Sequence, residues 1–204
     1  MTPSEMYRKI VKYRHHLYNI VHMDNMPSII ENGILCKNRA DALKHKSIAN
    51  SQVQDRRDTV IVPNGLPLHS YANLYFDYWN PMLSAKRDIN ERICILGVDV
   101  AVLDLENVVI TDCNAACDIV RFYDPIEIGQ LAFEHIFAKY WAVADADEFT
   151  QRRRKAQKCA EVLVPERIDF SYVKVACVYG DSARDTLRTF GFGRNIIVDP
   201  TKFF

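Results

Sequence analysis

The chain has 204 residues, 49% of them hydrophobic and 25% charged, which is typical of a globular protein with one substantial core, so we predict a single domain over residues 1–204. Its 26 basic and 26 acidic side chains balance, so any nucleic acid would have to bind a local basic surface. The six cysteines show no paired or zinc-ribbon spacing and no window is apolar enough to span a membrane, so we expect a cytoplasmic monomer with reduced cysteines.

The predicted elements begin with a helix from about Pro3 to Tyr13, because "TPSE" forms a capping box with proline at the first helical position. Residues 17–23, "LYNIVHM", are rich in branched and aromatic side chains and favour a strand. The segment "MPSIIEN" then favours a short helix that Gly33 ends.

A polar and basic segment runs from Cys36 to about Leu66. It is predicted to be a long exposed loop with at most a short helix around Arg39 to Lys44, and loops of that length inside a compact domain are usually functional. The aromatic stretch "YANLYFDYW" that follows favours a strand or the wall of a cleft. "RICILGVDV" and "ENVVITD" favour strands because β-branched residues dominate them.

The C-terminal half mixes both element types. The apolar spacing of "IEIGQLAFEHIFAKYW" predicts a helix, "EVLV", "VKVACVY" and "NIIV" predict strands, and "DSARDTLRTFG" predicts another helix. Strands dominate and helices are placed irregularly among them, so the predicted fold class is α+β.

Familiar catalytic motifs are absent from the sequence. It contains no GxxxxGKS phosphate loop, no HExxH metal pair and no GxSxG nucleophile turn. The sequence therefore predicts neither a metal centre nor a glycine-loop nucleotide site. The candidate functional residues are charged and aromatic side chains in a few short segments.

Glu161 is the first candidate. It stands directly before the apolar run of "AQKCAEVLVPE", residues 156–166. Burying an ionised carboxylate is costly unless the group is paired or hydrogen-bonded. Glu161 is therefore either a strand-end residue whose side chain reaches water or a functional carboxylate held at the start of a buried strand.

Basic and aromatic segments supply the other candidates. Arg56 and Arg57 in "QDRRD" form either a solvated surface pair or a clamp for phosphate or carboxylate groups. "QRRRKAQK", residues 151–158, carries five cations and is either a solvated helix face or a phosphate-binding strip. Upstream of it, Tyr140 and Trp141 either pack into the core or stack on exposed bases.

Four segments resemble the DarT family of DNA ADP-ribosyltransferases: "LYNIVHMDNMPSIIENGIL", "SIANSQVQDRRD", "LYFDYWNPML" and "AEVLVP", in this order. The resemblance implies an ADP-ribosyltransferase fold, a central split β-sandwich flanked by helices and related in shape to diphtheria toxin and the poly-ADP-ribosylating enzymes. It implies NAD as co-substrate, no metal, and transfer of ADP-ribose to a base of single-stranded DNA. It also implies a toxin whose partner is a DarG-type macrodomain antitoxin.

The resemblance also implies the catalytic residues. Glu161 matches the catalytic glutamate of the family, and Arg57 matches a second catalytic group near the NAD phosphates and the acceptor base. The chemistry is consistent with this, because breaking the bond between nicotinamide and ribose develops positive charge on the sugar, which a fixed carboxylate stabilises. By the same resemblance, residues 41–59 form a loop over NAD and residues 119–161 form the substrate-recognition segment.

Contact residues follow from the same comparison of motifs. The implied NAD contacts are Asn19, Ile20, Val21, Ser28, Cys36 and Arg57. The implied DNA contacts are Tyr140, Trp141, Arg152, Arg153, Arg154 and Lys155. Asn19 stands where many relatives have histidine, and this favours guanosine over thymidine as the target base. Two alternatives stay open: a non-catalytic nucleotide- or nucleic-acid-binding module of the same fold, and a transferase that modifies RNA or protein.

Overall fold

The computed structural model of the protein describes residues 1–12 and 14–204. The helices α1 to α8 span Pro3–Ile10, Met26–Asn32, Lys37–Ala40, Ser51–Arg57, Pro81–Ser84, Phe133–Ile136, Glu148–Gln157 and Asp181–Thr189. The strands β1 to β10 span His16–His22, Ile34–Leu35, Tyr71–Tyr75, Ile93–Asp99, Val109–Thr111, Phe122–Tyr123, Glu161–Pro165, Arg167–Ile168, Val173–Val178 and Asn195–Val198. This irregular succession is the predicted α+β class.

The central sheet is split between two of its strands. Its order is β10-β9-β4-β1-β3-β7-β5-β6, and β1 pairs with β4 along its whole length but with β3 only at Tyr18 and Tyr75. The side-chain amide of Asn19 makes a second link across the split by donating to the carbonyl oxygen of Asn73, 3.0 Å away. The sheet is therefore two half-sheets joined by one backbone pairing and one side-chain hydrogen bond, which confirms the predicted split architecture.

The two faces of the sheet have separate cores. Alternate side chains of a strand point to opposite faces, and Leu17, Leu74 and Val162 belong to the larger core together with Tyr7 of α1. The other face carries a cluster of Ile20, Tyr75, Ile93, Ile95, Cys159 and Cys177. Tyr75 pairs directly with Glu161, so the Glu161 side chain lies on this second face, beside the split.

Helix α1 begins as predicted but ends earlier. Thr2 and Glu5 make the reciprocal capping-box bonds, and the helix ends at Ile10. The predicted end at Tyr13 lies outside the described residues. The segment predicted as a long loop contains the expected short helix as α3, placed slightly earlier than predicted. It also contains the seven-residue helix α4, which the side chain of Asn50 caps and which was not predicted.

The apolar segment around residue 131 is not one helix. A 3-10 turn, Pro125–Gln130, is followed by extended backbone at Leu131 and by the single turn of α6. Ile128, Leu131 and Ile136 are all buried. Their helix-like spacing therefore arises because two separate short turns each bury apolar side chains. The prediction of a continuous helix was wrong.

The six cysteines are free, and five of them are buried, as predicted. Burial raises the pKa of the Cys159 thiol to about 12 and that of the Cys177 thiol to about 11. Both thiols are therefore protonated at neutral pH and act as packing groups. In the described part of the chain, no helix has the length and apolar character needed to cross a membrane.

Candidate active site

Glu161 opens β7 and is completely buried. Its Oε1 accepts hydrogen bonds from Arg57 Nη1 at 3.0 Å and from the backbone N–H of Ala115 at 3.0 Å. Its Oε2 accepts from Nη1 and Nη2 of Arg57, both at 3.1 Å. The carboxylate is thus fully paired, and the interpretation of Glu161 as a strand-end residue that reaches water is wrong.

Arg57 is the last residue of α4 and is 6% exposed. Burial opposes its charge, but the charge and hydrogen bonds of Glu161 outweigh that effect and raise the pKa of the guanidinium above its ordinary value. The two side chains therefore form an ionised pair in which the planar fork of arginine faces the carboxylate. Arg57 is therefore not part of a solvated surface pair, whereas its neighbour Arg56 is exposed.

The loop after β5 holds Glu161 from the other side. The hydroxyl of Thr111 accepts from the backbone N–H of Glu161 at 3.0 Å and donates to the carbonyl of Cys113 at 2.6 Å. Ala115, in the same loop, donates to the carboxylate. Burial, reinforced by the neighbouring Glu161 charge, raises the pKa of Tyr75, so a neutral phenol borders the carboxylate. This backbone and side-chain framework fixes the carboxylate in position.

A second buried ion pair lies three residues before Glu161. The Lys158 ammonium donates to Asp77 at 2.7 Å and to two carbonyl oxygens, those of Ile136 and Ala138, at 2.7 and 2.8 Å. Asp77 also accepts from Arg14 at 2.6 Å. Burial lowers the pKa of Lys158, although Asp77 opposes the shift. The network ties the end of α7 to the segment after α6 and to the loop after β3.

The residues predicted to contact NAD lie in two places. Ile20 packs in the same cluster as Tyr75, on the face of Glu161, whereas Val21 packs against the larger core. Asn19 is buried, and its side-chain amide donates the hydrogen bond to Asn73 that crosses the split of the sheet. As NAD contacts, these three stay predictions.

Ser28 lies in α2, and Cys36 directly follows β2. Ser28 is half-buried and its hydroxyl accepts from Asn32 at 3.4 Å. Cys36 is buried, its backbone N–H donates to the carbonyl of Glu166 at 2.8 Å, and burial raises the pKa of its thiol. Their contacts with NAD also stay predictions.

Residues 41–59 are fastened to the body at both ends. The backbone of Lys46 exchanges hydrogen bonds with the Asn25 side chain at 2.8 and 2.9 Å. At the other end Asp58 pairs with His69 Nδ1 at 2.7 Å. Ile48, between them, packs on the cluster that contains Tyr75. The segment therefore lies across the face on which Glu161 is buried.

The basic strip lies on α7. Arg152, Arg153 and Lys155 are exposed and Arg154 is half-buried, and none of the four makes an ion pair with any described residue. Lys158 differs from these cations because it is buried in the Asp77 network. Beside α7 is a cavity of about 210 Å³ lined by Asp112, Cys113, Ile119, Arg121, Phe149, Arg153 and Gln157.

The aromatic candidates are at the surface. Tyr140 is 67% exposed, and Trp141 is half-buried with its ring 5.8 Å from that of Phe204.

Sequence reasoning missed Thr111, Ala115, Asp77, Trp79 and Phe204. Of these, only Asp77 and Trp79 carried a signal, because both lie in the family-like segment "LYFDYWNPML". Among the described residues, no three or more His, Cys, Asp or Glu side chains form a metal-binding group.

The sequence of this chain is similar to those of known proteins. A family model described as "ssDNA thymidine ADP-ribosyltransferase, DarT" matches residues 18–204. A DNA ADP-ribosyl transferase–glycohydrolase fusion protein of Thermosipho africanus is 30% identical over 92% of this chain, and this chain spans only 49% of that protein. A DNA ADP-ribosyl transferase of Thermus sp. 2.9 is 30% identical over 80% of each chain.

Solved structures resemble the whole fold. Thermosipho africanus DarTG in complex with ADP-ribose superposes with a TM-score of 0.80 over 93% of this chain and 51% of its own, at 28% identity. Thermus sp. 2.9 DarT in complex with ADP-ribosylated single-stranded DNA superposes with a TM-score of 0.79 over 94% of this chain and 97% of its own, at 26% identity. With a family match over most of its length and a buried Arg57–Glu161 pair at the split of the sheet, the chain belongs to the DarT family of single-stranded-DNA ADP-ribosyltransferases.

Proposed function

We propose that this chain transfers ADP-ribose from NAD to a base of single-stranded DNA, with Glu161 as its catalytic carboxylate and Arg57 as the second catalytic group. The observation that carries the proposal is the Glu161 carboxyl group, completely buried at the start of β7 and held by both Arg57 and the Ala115 N–H. Solved structures of Thermus sp. 2.9 DarT with NAD and with ADP-ribosylated single-stranded DNA support it.

The reaction uses the negative charge of Glu161. The bond between ribose C1′ and the nicotinamide nitrogen breaks, and nicotinamide leaves with the electron pair as a neutral molecule. A fixed carboxylate stabilises the positive charge that develops on the ribose. A nitrogen of the DNA base then bonds to C1′ and releases its proton. Glu161 suits this role because the protein has already removed its water shell.

Arg57 has two partners in this scheme. In the free protein it covers both oxygens of Glu161, so the ribose reaches the carboxylate only when the guanidinium moves. The diphosphate of NAD is the natural acceptor, since guanidinium groups bind phosphate oxygens through the same fork geometry. Residues 41–59 carry Arg57 and lie over this face, so they form the cover of NAD in our proposal.

The DNA strand approaches over the substrate-recognition segment, residues 119–161. Its proposed phosphate contacts are the unpaired cations of α7, and its aromatic contacts are Tyr140 and Trp141. Cations along a groove combined with aromatic faces are the usual means of holding single-stranded nucleic acid. Duplex DNA is a poor substrate in this scheme, since extracting a paired base costs a few kcal/mol.

The experiment uses NAD labelled in its adenosine part. The purified protein and the isosteric Glu161→Gln variant are incubated with separate pools of single-stranded DNA, duplex DNA, RNA and protein. We expect label on single-stranded DNA with the wild type and none with the variant. Label only on RNA or protein would establish one of the alternatives, and NAD binding without any transfer would establish a non-catalytic module.

The biological setting forms the last part of the proposal. The transferase would act as a cytoplasmic toxin, and its partner would be a DarG-type glycohydrolase that removes the ADP-ribose. The support is that the Thermosipho relative is a fusion of a transferase with a glycohydrolase. The guanosine preference inferred from Asn19 stays a prediction. The matching family model is described as thymidine-specific, so the test must report both bases.

A further inference from the structure

Both tryptophans of the chain contact the same phenylalanine. The ring of Phe204 is stacked on Trp79 with 4.0 Å between centroids and 27° between planes. The ring of Trp141 lies 5.8 Å from Phe204 at 61°. Trp79, Trp141 and Phe204 are all half-buried. These three rings form an aromatic group at the border between the second core and the surface.

This group lies at the end of the sheet where Glu161 is held. Trp79 follows β3 by four residues, and the last residue of β3, Tyr75, pairs with Glu161. The indole N–H of Trp79 donates to the carbonyl of Lys139 at 3.0 Å, which ties it to the segment that contains Trp141. Phe204 also packs on the cluster of Tyr75 and Cys159. The aromatic group therefore connects the strand end beside Glu161 to the proposed substrate segment.

Its geometry and its surroundings are those of a site for a nucleobase. A base that stacks on an aromatic side chain lies nearly parallel to it at about 4 Å, as Phe204 lies on Trp79, and every base has a face that can stack in this way. Two cations are close to the group in the chain. Lys139, whose carbonyl accepts from Trp79, makes no ion pair with any described residue, whereas Lys202, two residues before Phe204, pairs with Asp199 at 3.6 Å. Lys139 is the cation available to a phosphate that flanks a stacked base.

The backbone around Phe204 is held independently of its ring. The carbonyl of Phe204 accepts from the side-chain amide of Asn90 at 2.8 Å. Phe203 is buried and contacts Tyr179 edge-on at 5.7 Å. Rotation of the Phe204 side chain alone would therefore uncover the face of Trp79 without unfolding the segment.

We propose that Trp79 and Trp141 form a stacking site for an unpaired base that neighbours the modified one, and that the Phe204 ring fills this tryptophan site until single-stranded DNA displaces it. The inference rests on the proposed function and names a further contact for its substrate. It adds Trp79, which lies in a family-like segment but was not named as a contact, and Phe204, which no motif contains.

Intrinsic fluorescence tests the proposal directly, because both tryptophans of the chain belong to the site. A single-stranded oligonucleotide is titrated into the wild-type protein without NAD, and binding is followed by anisotropy of an end label. An oligonucleotide of the same length and charge in which abasic sites replace the bases is the matched control. We expect the first to quench the tryptophan fluorescence and the second to bind without quenching it.

Variants separate stacking from packing. Trp79→Leu should weaken single-strand binding about tenfold, which corresponds to one lost base–aromatic stack, whereas Trp79→Phe should keep most of the affinity. Phe204→Ala should tighten binding by about threefold or more, since it removes the internal competitor. Trp141→Leu should also weaken single-strand binding, because it removes the other tryptophan of the site. Circular dichroism melting checks that each variant folds.

The outcomes distinguish this inference from the proposed function. Transfer of ADP-ribose to DNA together with binding that leaves the fluorescence unchanged would overturn the tryptophan site alone. Phe204→Ala that folds normally and binds DNA more weakly would also overturn it, because Phe204 would then be a DNA contact or a support. A protein that neither binds nor modifies single-stranded DNA would overturn both.

Discussion

Arg57 covers both oxygens of the Glu161 carboxylate, in a pair that is almost completely buried. Removing one partner of such a pair leaves a buried charge uncompensated, which costs about 3–5 kcal/mol. In the proposed function, the free protein keeps this carboxylate occupied, and NAD provides another partner for Arg57 when it binds.

The first prediction concerns the charge of Glu161. Glu161→Gln keeps the shape and removes the charge that stabilises the transition state, so transfer should fall by about 10²-fold or more. NAD affinity should stay within a few-fold, because the loss falls on the transition state. Single-turnover transfer and equilibrium NAD titration measure the two effects. Turnover near the wild-type rate would remove Glu161 from the catalytic role.

The second prediction concerns Arg57. Arg57→Ala should weaken both NAD binding and transfer, and it should lower the melting temperature by about 10 °C, since a loss of 3–5 kcal/mol corresponds to 2–4 °C per kcal/mol in a chain of this size. Arg56→Ala is the matched control, because Arg56 is exposed on the same turn of α4. Equal effects of the two substitutions on NAD binding would show that the segment contributes only general charge.

The motifs located Glu161 and Arg57 but could not show that they meet, because 104 residues separate them in the chain. The capping box and Gly33 are local signals and predicted the start of α1 and the end of α2. Lys158 was indistinguishable from the other cations of its segment, since burial is a property of the packed fold. The helix α4 was missed because six of its seven residues are polar and its single apolar residue, Val53, gives no periodicity.

The third prediction concerns acid pH. Burial is the main cause that lowers the pKa of His16, His22 and His69 below the ordinary 6.5. The unfolded chain therefore binds more protons than the folded one as the pH falls below 6.5, and the free energy of unfolding decreases through that window.

His69 provides a specific test of this pH dependence. Asp58 raises the pKa of His69 while Lys37 and Arg57 lower it, and its Nε2 is buried without a partner among the described residues. His69→Gln should therefore flatten the dependence of the melting temperature on pH between 7 and 5. If the melting temperature of the variant depended on pH as steeply as that of the wild type, the pH dependence would come from the other histidines and not from His69.

The fourth prediction concerns the basic strip on α7. Neutralising Arg152, Arg153 and Lys155 to glutamine should weaken binding to all single strands alike, and it should reduce the slope of log K against log salt by about 0.7 for each lost phosphate contact. The control removes two exposed charges by changing Lys9 and Lys12 to glutamine, on and just after α1, where Tyr7 packs on the face of the sheet opposite Glu161. An unchanged salt slope in the α7 variant would place the DNA elsewhere.

The most direct test of the central claim is the intact mass of a mixed-sequence single-stranded oligonucleotide after incubation with NAD and protein, followed by nucleoside analysis of the product. We predict an increase of one ADP-ribose per modified base, an equal release of nicotinamide, attachment to thymidine or guanosine, and no change with Glu161→Gln. An unmodified oligonucleotide, or equal modification by the Glu161→Gln variant, would contradict the account.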